Sequence, residues 1–231
     1  YAREKGLKVF NTPAASSDSV AELVMGHMRS LVRFMHDSNR QMPLEGDSKF
    51  GALKKSYAKG AELRGRTLGI IGFGRIGQAL AKLAIGAGMK VVFSDIHEDN
   101  VDVELSFFDG QSAKFTCENV GFDRVLTESD FISVHVPGGD LIGASELAKM
   151  KDGVVLLNAA RGGVINEEAL LDALESGKVA GAGLDVFVNE PTPAVKVLMN
   201  GKLSVTPHIG AATLEAQDRI GTELAAHIDA I

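Results

Sequence analysis

Short apolar runs alternate with amphipathic segments along most of the chain. The apolar runs predict buried strands at residues 67–71, 90–94, 130–137, 153–158, 180–187 and 203–206. Apolar positions at helical spacing predict helices at residues 19–39, 78–84, 123–128, 144–150, 167–176 and 213–231. Alternating strands and helices are typical of an α/β fold with a doubly wound parallel sheet, and we predict that fold class.

Other segments are less regular. Residues 7–11 predict a strand that ends at a break formed by Thr12 and Pro13, and residues 113–115 predict a short strand. Residues 41–59 read as an excursion with a short helix, and residues 100–110 fit no element. Asn166 and Gly177 are expected to begin and end the helix between them, as cap residues of those types do.

A glycine-rich turn joins the strand at residues 67–71 to the next helix, with Gly72, Gly74 and Gly77 in the pattern G-x-G-x-x-G. Gly72 allows the tight turn, Gly74 lets the backbone approach a pyrophosphate, and Gly77 lets helix and strand pack closely. The free N–H groups at the helix start then face the phosphates. Such turns also occur for packing reasons alone, but strand, turn and helix together are the context of a dinucleotide site.

Asp95 ends the second strand, about 20 residues downstream as the dinucleotide fingerprint expects. A carboxylate there accepts hydrogen bonds from the adenosine ribose hydroxyls and repels a 2′-phosphate. Residues 96–98 include no arginine. The sequence therefore predicts NAD, rather than NADP, as the cofactor.

Composition restricts the classes of partner. The 231 residues carry a net charge of −6 without a basic block, which argues against nucleic acid. Cys117 is the only cysteine, and His27 and His36 have no ligand at metal spacing, so we expect no metal site. No apolar run reaches the roughly 18 residues of a membrane span. With no signal peptide at Tyr1, we expect a cytoplasmic protein, and one that is a fragment because it lacks an initial methionine.

Polar residues follow several strands, where ligands bind in doubly wound sheets. Arg161, Glu190 and His208 each follow a different strand and are the candidate catalytic residues. A histidine suits a base that removes a hydroxyl proton while hydride leaves. Glu190 would orient the ring and stabilise its protonated form, and Arg161 would pair with a substrate carboxylate. Singly, each residue could instead be a turn, loop or strand-end residue.

Asp185 and His135 also lie at or near strand ends. Asp185 directly follows an apolar strand and could hold the nicotinamide carboxamide or cap a turn, and we favour the first role. His135 lies inside an apolar strand, which is typical of a core histidine with satisfied hydrogen bonds. We therefore leave His135 out of the predicted chemistry.

Motifs along nearly the whole chain resemble the D-isomer-specific 2-hydroxyacid dehydrogenases. They include residues 11–13, 19–22, 72–77 with Asp95, 135–137, 158–163, 183–187 with residues 190–191, and 207–213. The resemblance implies His208 as acid/base, Glu190 as its partner and Arg161 as substrate anchor. Together with the glycine turn, the implied cofactor contacts are Arg75, Ile76, Asp95, Val136, Pro137, Ala159, Ala160, Arg161, Asp185, His208, Gly210 and Ala211.

The resemblance also implies a domain organisation. Residues 1–12 would be a remnant of the substrate domain and residues 13–231 the NAD-binding domain, with the helix at residues 213–231 returning to the substrate domain. The loop after Pro137 is shorter than the family's Pro-x-Thr-x-x-Thr stretch. The long helix at residues 19–39 and the excursion after it build a two-fold interface in the family, which implies a homodimer.

The resemblance leaves the substrate open among three hypotheses. The form of residues 158–163 favours oxidation of D-3-phosphoglycerate to 3-phosphooxypyruvate, a reaction of serine biosynthesis. A glyoxylate, hydroxypyruvate or other D-2-hydroxyacid reductase is the alternative on the same fold. A non-catalytic, NAD-sensing scaffold similar to the corepressors that share this fold is a third hypothesis, disfavoured by the acidic charge balance.

Overall fold

One twisted sheet organises the computed structural model, which describes residues 1–12 and 14–229. Its strands are β1 Thr67–Ile71, β2 Lys90–Ser94, β3 Val101–Ser106, β4 Ser112–Asn119, β5 Phe131–Val134, β6 Val154–Asn158, β7 Val179–Leu184 and β8 Leu203–Val205. They lie in the order β3-β4-β2-β1-β5-β6-β7-β8. All neighbours are parallel except β3 and β4, which are antiparallel. The predicted doubly wound α/β fold is confirmed, with one antiparallel strand at its edge.

Helices cover both faces of the sheet. They are α1 Ser17–Val32, α2 Met35–Ser56, α3 Arg75–Gly86, α4 Phe122–Glu128, α5 Ala144–Lys149, α6 Glu167–Ser176, α7 Val195–Leu198 and α8 Leu214–Asp229, with a 3-10 turn at Arg3–Lys5. Within β1, Leu68 and Ile70 belong to the core cluster formed with α1 and α3, whereas Ile71 joins the cluster formed with α4, α5 and α6. Because strand side chains alternate in direction, β1 is buried on both faces, which explains its continuous apolar run.

The ends of α6 follow the predicted capping chemistry. The side chain of Asn166 accepts a hydrogen bond of 3.0 Å from the Ala169 N–H, and Gly177 adopts a left-handed φ of 80°. The first interaction satisfies one of the free N–H groups of the first turn, and glycine adopts the second conformation without a Cβ clash. The predicted bounds of this helix are confirmed at both ends.

The single helix predicted at residues 19–39 is wrong. The chain leaves α1 at Val32, Phe34 takes a left-handed φ of 54°, and α2 starts at Met35. The excursion predicted at residues 41–59 is mostly part of α2, which continues past Pro43 and has irregular backbone at Lys49. Left-handed residues are usually glycine, and Phe34 gives no such signal in the sequence. The helical spacing of apolar residues on both sides of Phe34 therefore predicted one continuous helix.

Two strand predictions also need correction. Residues 7–11 form no strand, because no other strand of the described residues lies beside them to complete a hydrogen-bonded ladder. Residues 100–110, which fitted no element, contain β3, and the short strand predicted at residues 113–115 is the longer β4. These two strands form a hairpin at the sheet edge, where one face is solvated and the apolar pattern is weak.

The remaining predictions concern the ends and the surroundings of the chain. The division between domains at residue 13 falls outside the described residues and stays a prediction. The last predicted helix ends at Asp229, and residues 230 and 231 also lie outside the described part. In the ranges 1–12 and 14–229, no helix combines the length and apolarity that crossing a membrane would require.

Candidate active site

The glycine turn after β1 has the geometry that its three glycines predict. Gly72 has a φ of 88°, and a Cβ there would lie 2.5 Å from the carbonyl oxygen of His135. A Cβ on Gly77 would lie 2.5 Å from the carbonyl oxygen of Gly72. Both positions therefore need glycine so that β1, β5 and α3 can pack closely. A Cβ on Gly74, in contrast, would meet nothing within 4 Å, because this glycine faces open space.

The start of α3 offers hydrogen-bond donors to that space. Gly74 is the N-cap residue and no side chain caps the helix, so the N–H groups of the first turn are free to bind an anion. Beside them, Asp95 accepts hydrogen bonds from the N–H groups of Phe73 (2.6 Å) and His97 (2.8 Å). Partial burial raises the pKa of Asp95, but these two hydrogen bonds outweigh it and hold the pKa below its usual value. An open glycine turn, free N–H donors and an ionised carboxylate fit a dinucleotide.

A cleft of about 800 Å³ lies at the carboxyl ends of the central strands, and we call it the strand-end cleft. Thirteen of the predicted site residues line it. They are Gly74, Arg75, Ile76, Gly77, Val136, Pro137, Ala159, Ala160, Arg161, Asp185, His208, Gly210 and Ala211. Loops from β1, β5, β6, β7 and β8 thus meet at one place, as the parallel sheet dictates.

Three predicted residues are not among those that line the cleft but contact residues that do or the turn that bears them. Gly72 packs against the backbone of His135, Asp95 accepts a hydrogen bond from the Phe73 N–H of the glycine turn, and Glu190 binds His208. His208 Nδ1 donates to Glu190 Oε2 at 2.7 Å. That hydrogen bond, a second one from the Phe187 N–H, and the charge of Arg161 hold the pKa of Glu190 below its usual range.

The hydrogen bond to Glu190 fixes which nitrogen of His208 carries the proton. An ionised carboxylate only accepts hydrogen bonds, so Nδ1 must be the protonated nitrogen of the neutral ring. Nε2 then carries the lone pair, and it makes no hydrogen bond to another described residue. His208 borders the strand-end cleft, so its free nitrogen is available to a ligand there. The pair has the arrangement of a general base with an orienting carboxylate.

Asp185 holds the turn that carries His208. Its Oδ1 accepts from the Thr206 hydroxyl (2.6 Å) and the Ile209 N–H (2.9 Å), and its Oδ2 accepts from the Gly210 N–H (2.8 Å). His208 lies inside this turn with a left-handed φ of 55°. The turn-capping role of Asp185 is therefore present. A contact with the nicotinamide carboxamide stays a prediction, for which the carboxylate retains about one of its roughly four lone-pair sites.

Arg161 is exposed at the mouth of the cleft, in the turn after β6. The side chain of Asn158 closes that turn by donating to the Arg161 carbonyl at 3.0 Å and accepting from the Ala160 N–H at 3.0 Å. A Cβ on Gly162 would lie 1.9 Å from the Phe187 carbonyl oxygen. Glycine at that position therefore lets the loops after β6 and β7 touch, which places Arg161 and Glu190 near each other.

His135 is not the satisfied core residue that we predicted. His135 is among the residues that line the strand-end cleft, and its Nε2 lies 2.8 Å from the Ser133 hydroxyl. Its buried Nδ1 has no hydrogen-bond partner within the described ranges. Burial lowers the pKa of His135 to about 4, so the ring is neutral. The sequence could have indicated this position at the cleft, because His135 directly follows the last residue of β5 and precedes the cleft residue Val136.

Three further cleft residues were absent from the predicted site. Asn11, Ser16 and Val20 come from the segment before α1 and from its first turn. Nothing local marks them as ligand contacts, because only the packing of α1 against the sheet brings them to the cleft. Across residues 1–12 and 14–229, no three His, Cys, Asp or Glu side chains form a group that could hold a metal ion.

The fold and this cleft define a dinucleotide-binding domain of the doubly wound class. The family model of the D-isomer specific 2-hydroxyacid dehydrogenase NAD-binding domain matches residues 25–210. The chain therefore belongs to the D-isomer-specific 2-hydroxyacid dehydrogenases, and NAD is the cofactor of its domain. The predicted family and cofactor are both confirmed.

Individual relatives agree on the family and differ in substrate. A hydroxypyruvate reductase from Thermotoga maritima is 46% identical over 230 residues, which cover 96% of this chain and 69% of that protein. D-3-phosphoglycerate dehydrogenase 2 from Saccharomyces cerevisiae is 37% identical, and the match covers 97% of this chain and 48% of that protein. The crystal structure of a glyoxylate reductase from Paecilomyes thermophila superposes with a TM-score of 0.82 at 33% identity, covering 99% of this chain and 66% of that one. The chain thus spans between half and about two thirds of these relatives.

The position of Asp95 leads to a prediction on cofactor choice. We expect calorimetry on this chain to show NADH binding at least about tenfold tighter than NADPH, a difference of about 1.4 kcal/mol. Asp95→Ala should narrow the gap, because it removes both the acceptor for the ribose hydroxyls and the charge that repels a 2′-phosphate. Glu98→Ala removes a nearby charge that makes no such bond and is the matched control. Equal affinities of the unmodified chain for NADH and NADPH would contradict the prediction.

Proposed function

We propose that this chain is the cofactor half of an enzyme that interconverts D-2-hydroxy acids and 2-oxo acids. The observation that carries the proposal is the 2.7 Å hydrogen bond between His208 Nδ1 and Glu190, which leaves Nε2 as a base at the edge of the cleft. Bound NAD supplies the hydride acceptor. In the oxidation, Nε2 of His208 takes the hydroxyl proton, and in the reduction the same nitrogen returns it to the carbonyl oxygen.

Glu190 and Arg161 complete the proposed machinery. As Nε2 of His208 gains a proton, the ring becomes cationic, and the ionised Glu190 stabilises that charge. Arg161 lies in the turn beside this pair and presents a guanidinium that matches a carboxylate in two parallel hydrogen bonds. The substrate carboxylate would thereby bring its C2 atom next to His208.

The choice of substrate lies between two acids with the same three-carbon skeleton. The motif at residues 158–163 favours 3-phosphoglycerate, and the yeast relative carries that name. A specific observation favours hydroxypyruvate and glycerate as the second candidate. The described part of the cleft is lined by two arginines, Arg75 at the glycine turn and Arg161 beside His208, so one guanidinium is placed for a carboxylate and a further cation would be needed for the phosphate.

Steady-state kinetics of the full-length protein separate these candidates. We expect NADH oxidation with 2-oxo acids, and we expect the ratio of kcat/KM for hydroxypyruvate to that for 3-phosphooxypyruvate to identify the substrate. A ratio below one supports 3-phosphoglycerate as the natural hydroxy acid, and a ratio above one supports glycerate. NADH binding without turnover of either acid, or of glyoxylate, would contradict the proposal and support the non-catalytic scaffold.

We also propose a homodimer, with α2 at its interface. The helix α1 turns its apolar residues Met25 and Met28 into the core, so they are not free for an interface. The helix α2 buries none of its 22 residues, although its surface carries exposed apolar side chains. These are Met35, Met42, Leu44 and Phe50. A long helix without a buried face gains its packing energy from a partner.

Light scattering tests this assembly. At micromolar concentration we expect a mass of twice the 24.4 kDa of one chain. Phe50→Glu should shift the protein to the monomer, because it introduces a charge into an apolar interface. Phe108→Glu changes a fully exposed phenylalanine at the tip of the β3–β4 hairpin and should leave the mass unchanged. A monomeric unmodified chain would overturn the proposal.

A further inference from the structure

A buried histidine outside the strand-end cleft is connected to the turn that holds His208. His27 lies on α1 and is 5% exposed. Its Nδ1 is 2.8 Å from the Ser204 hydroxyl, and its Nε2 is 3.1 Å from the Thr206 hydroxyl. A Cβ on Gly183 would lie 2.7 Å from the Cβ of His27, so the ring fits against β7 because that residue is glycine. Burial lowers the pKa of His27, and the ring is therefore neutral.

The direction of each hydrogen bond in the series from Ser204 through His27 and Thr206 follows from the last acceptor, Asp185. The Thr206 hydroxyl has one proton, and it lies 2.6 Å from Asp185 Oδ1, which can only accept. Thr206 must then accept a hydrogen bond from His27, so Nε2 carries the proton of the neutral ring. Nδ1 is the remaining acceptor, and the Ser204 hydroxyl donates to it. One tautomer of His27 satisfies all three contacts.

Asp185 connects these hydrogen bonds to the turn that carries His208. Its carboxylate binds the N–H groups of Ile209 and Gly210, the two residues after His208. The left-handed backbone of His208 is unfavourable for a non-glycine residue and persists because the surroundings hold it in place. The Thr206 hydroxyl is the one side-chain donor to Asp185 among the described residues, and it depends on His27 for its own orientation.

We propose that His27 is a positioning residue for His208: the Nε2–H of His27 directs the Thr206 hydroxyl onto Asp185, and Asp185 holds the turn that aims His208 into the cleft. Its catalytic consequence rests on the proposed function of His208. The hydrogen-bonded path from α1 to the turn stands on the geometry alone, so the two are tested by different measurements.

Two amide substitutions separate the two nitrogens of His27. The amide nitrogen of glutamine reaches the place of Nε2, so His27→Gln keeps a donor to Thr206. The amide of asparagine reaches only the place of Nδ1, so His27→Asn keeps the contact with Ser204 and loses the donor. Both replace the ring with a smaller polar side chain, and the pair therefore shares the packing cost.

Kinetics of the full-length enzyme test the catalytic consequence. We expect His27→Asn to lower kcat for 2-oxo acid reduction about tenfold with little change in KM, since misplacement of a catalytic group mainly reduces the chemical step. His27→Gln should stay within about threefold of the unmodified enzyme. Ser204→Ala removes only the contact at Nδ1 and should have a similarly small effect. Equal losses in the Gln and Asn variants would show a purely structural role and overturn the proposal.

Thr206→Val and an activity-free measurement complete the test. Thr206→Val should lower kcat as much as His27→Asn, and the double variant should be no worse than either, because both cut one path. Additive losses would overturn the proposal.

In this chain, the backbone ¹H–¹⁵N signals of Ile209 and Gly210 should shift in His27→Asn and stay in place in His27→Gln. If the signals respond as expected while the unmodified enzyme shows no turnover, the path stands and the proposed function fails; unchanged signals in His27→Asn refute the path itself.

Discussion

Replacing His208 by alanine in the full-length protein should lower kcat by at least about a hundredfold, the range that loss of a general acid/base produces. The substitution removes Nε2 of His208, the proposed base at the edge of the cleft, while Asp185 keeps its bonds to the backbone of the same turn. Binding of NADH should therefore remain close to that of the unmodified protein. Steady-state kinetics and calorimetry on the same preparation check both parts. A variant with more than a tenth of the original kcat would exclude His208 as the acid/base.

Glu190→Gln should lower kcat less than His208→Ala does. Glutamine keeps an acceptor for the Nδ1–H of His208 but lacks the charge that stabilises the protonated ring. We expect a smaller loss of kcat, together with a shift of the acidic limb of the oxidation rate profile to lower pH. The direction follows because the ring loses its proton more easily without a neighbouring carboxylate. An acidic limb that stays in place would mean that the pair does not govern proton transfer.

The second large effect concerns two glycines of the turn between β1 and α3, Gly74 and Gly77. Gly77→Ala should destabilise the chain by about 1–3 kcal/mol, the usual cost of overpacking, because its Cβ would lie 2.5 Å from the Gly72 carbonyl oxygen. Gly74→Ala has nothing within 4 Å to clash with and should leave the free energy of unfolding within about 0.5 kcal/mol. Its methyl group would enter the open space at the glycine turn, where we expect the pyrophosphate to approach the backbone, and should weaken NADH binding at least about tenfold.

Denaturant unfolding and calorimetry distinguish the two roles. Gly201→Ala is the control, because that glycine is exposed and also meets nothing within 4 Å, yet it lies outside the strand-end cleft. Normal NADH binding by Gly74→Ala would contradict the placement of the pyrophosphate at this turn. Normal stability of Gly77→Ala would contradict the close packing of α3 on β1.

Local signals in the sequence predicted the central strands and most of the cleft. β1, β6 and β7 are buried on both faces, so they appear as continuous apolar runs, and Asn166 and Gly177 act through bonds within a few residues. Parallel strands bring their carboxyl ends together, and knowing the order of elements was therefore enough to place Arg161 and His208 in one cleft.

Features that depend on contacts between residues far apart in the sequence were not predicted. The break at Phe34 is a left-handed residue without glycine, and the β3–β4 hairpin has a solvated face. His135 looked like a core residue with satisfied hydrogen bonds because its neighbours are apolar, yet it follows β5 at the cleft and its buried Nδ1 has no partner among the described residues. The contact between His27 and Thr206 joins residues 179 positions apart, and only the packed fold brings them together.

Transfer of deuterium from [4,4-²H₂]NADH, which carries the label on both faces of the ring, is the most direct test of hydride exchange with His208 as the acid/base. The full-length protein should move the label to C2 of hydroxypyruvate or 3-phosphooxypyruvate, with a proton from Nε2 of His208 going to the carbonyl oxygen. We expect a product of D configuration labelled at C2, and label transfer slowed by at least about a hundredfold in His208→Ala. An L product, the absence of label at C2, or equal transfer by the unmodified protein and His208→Ala would contradict this expectation.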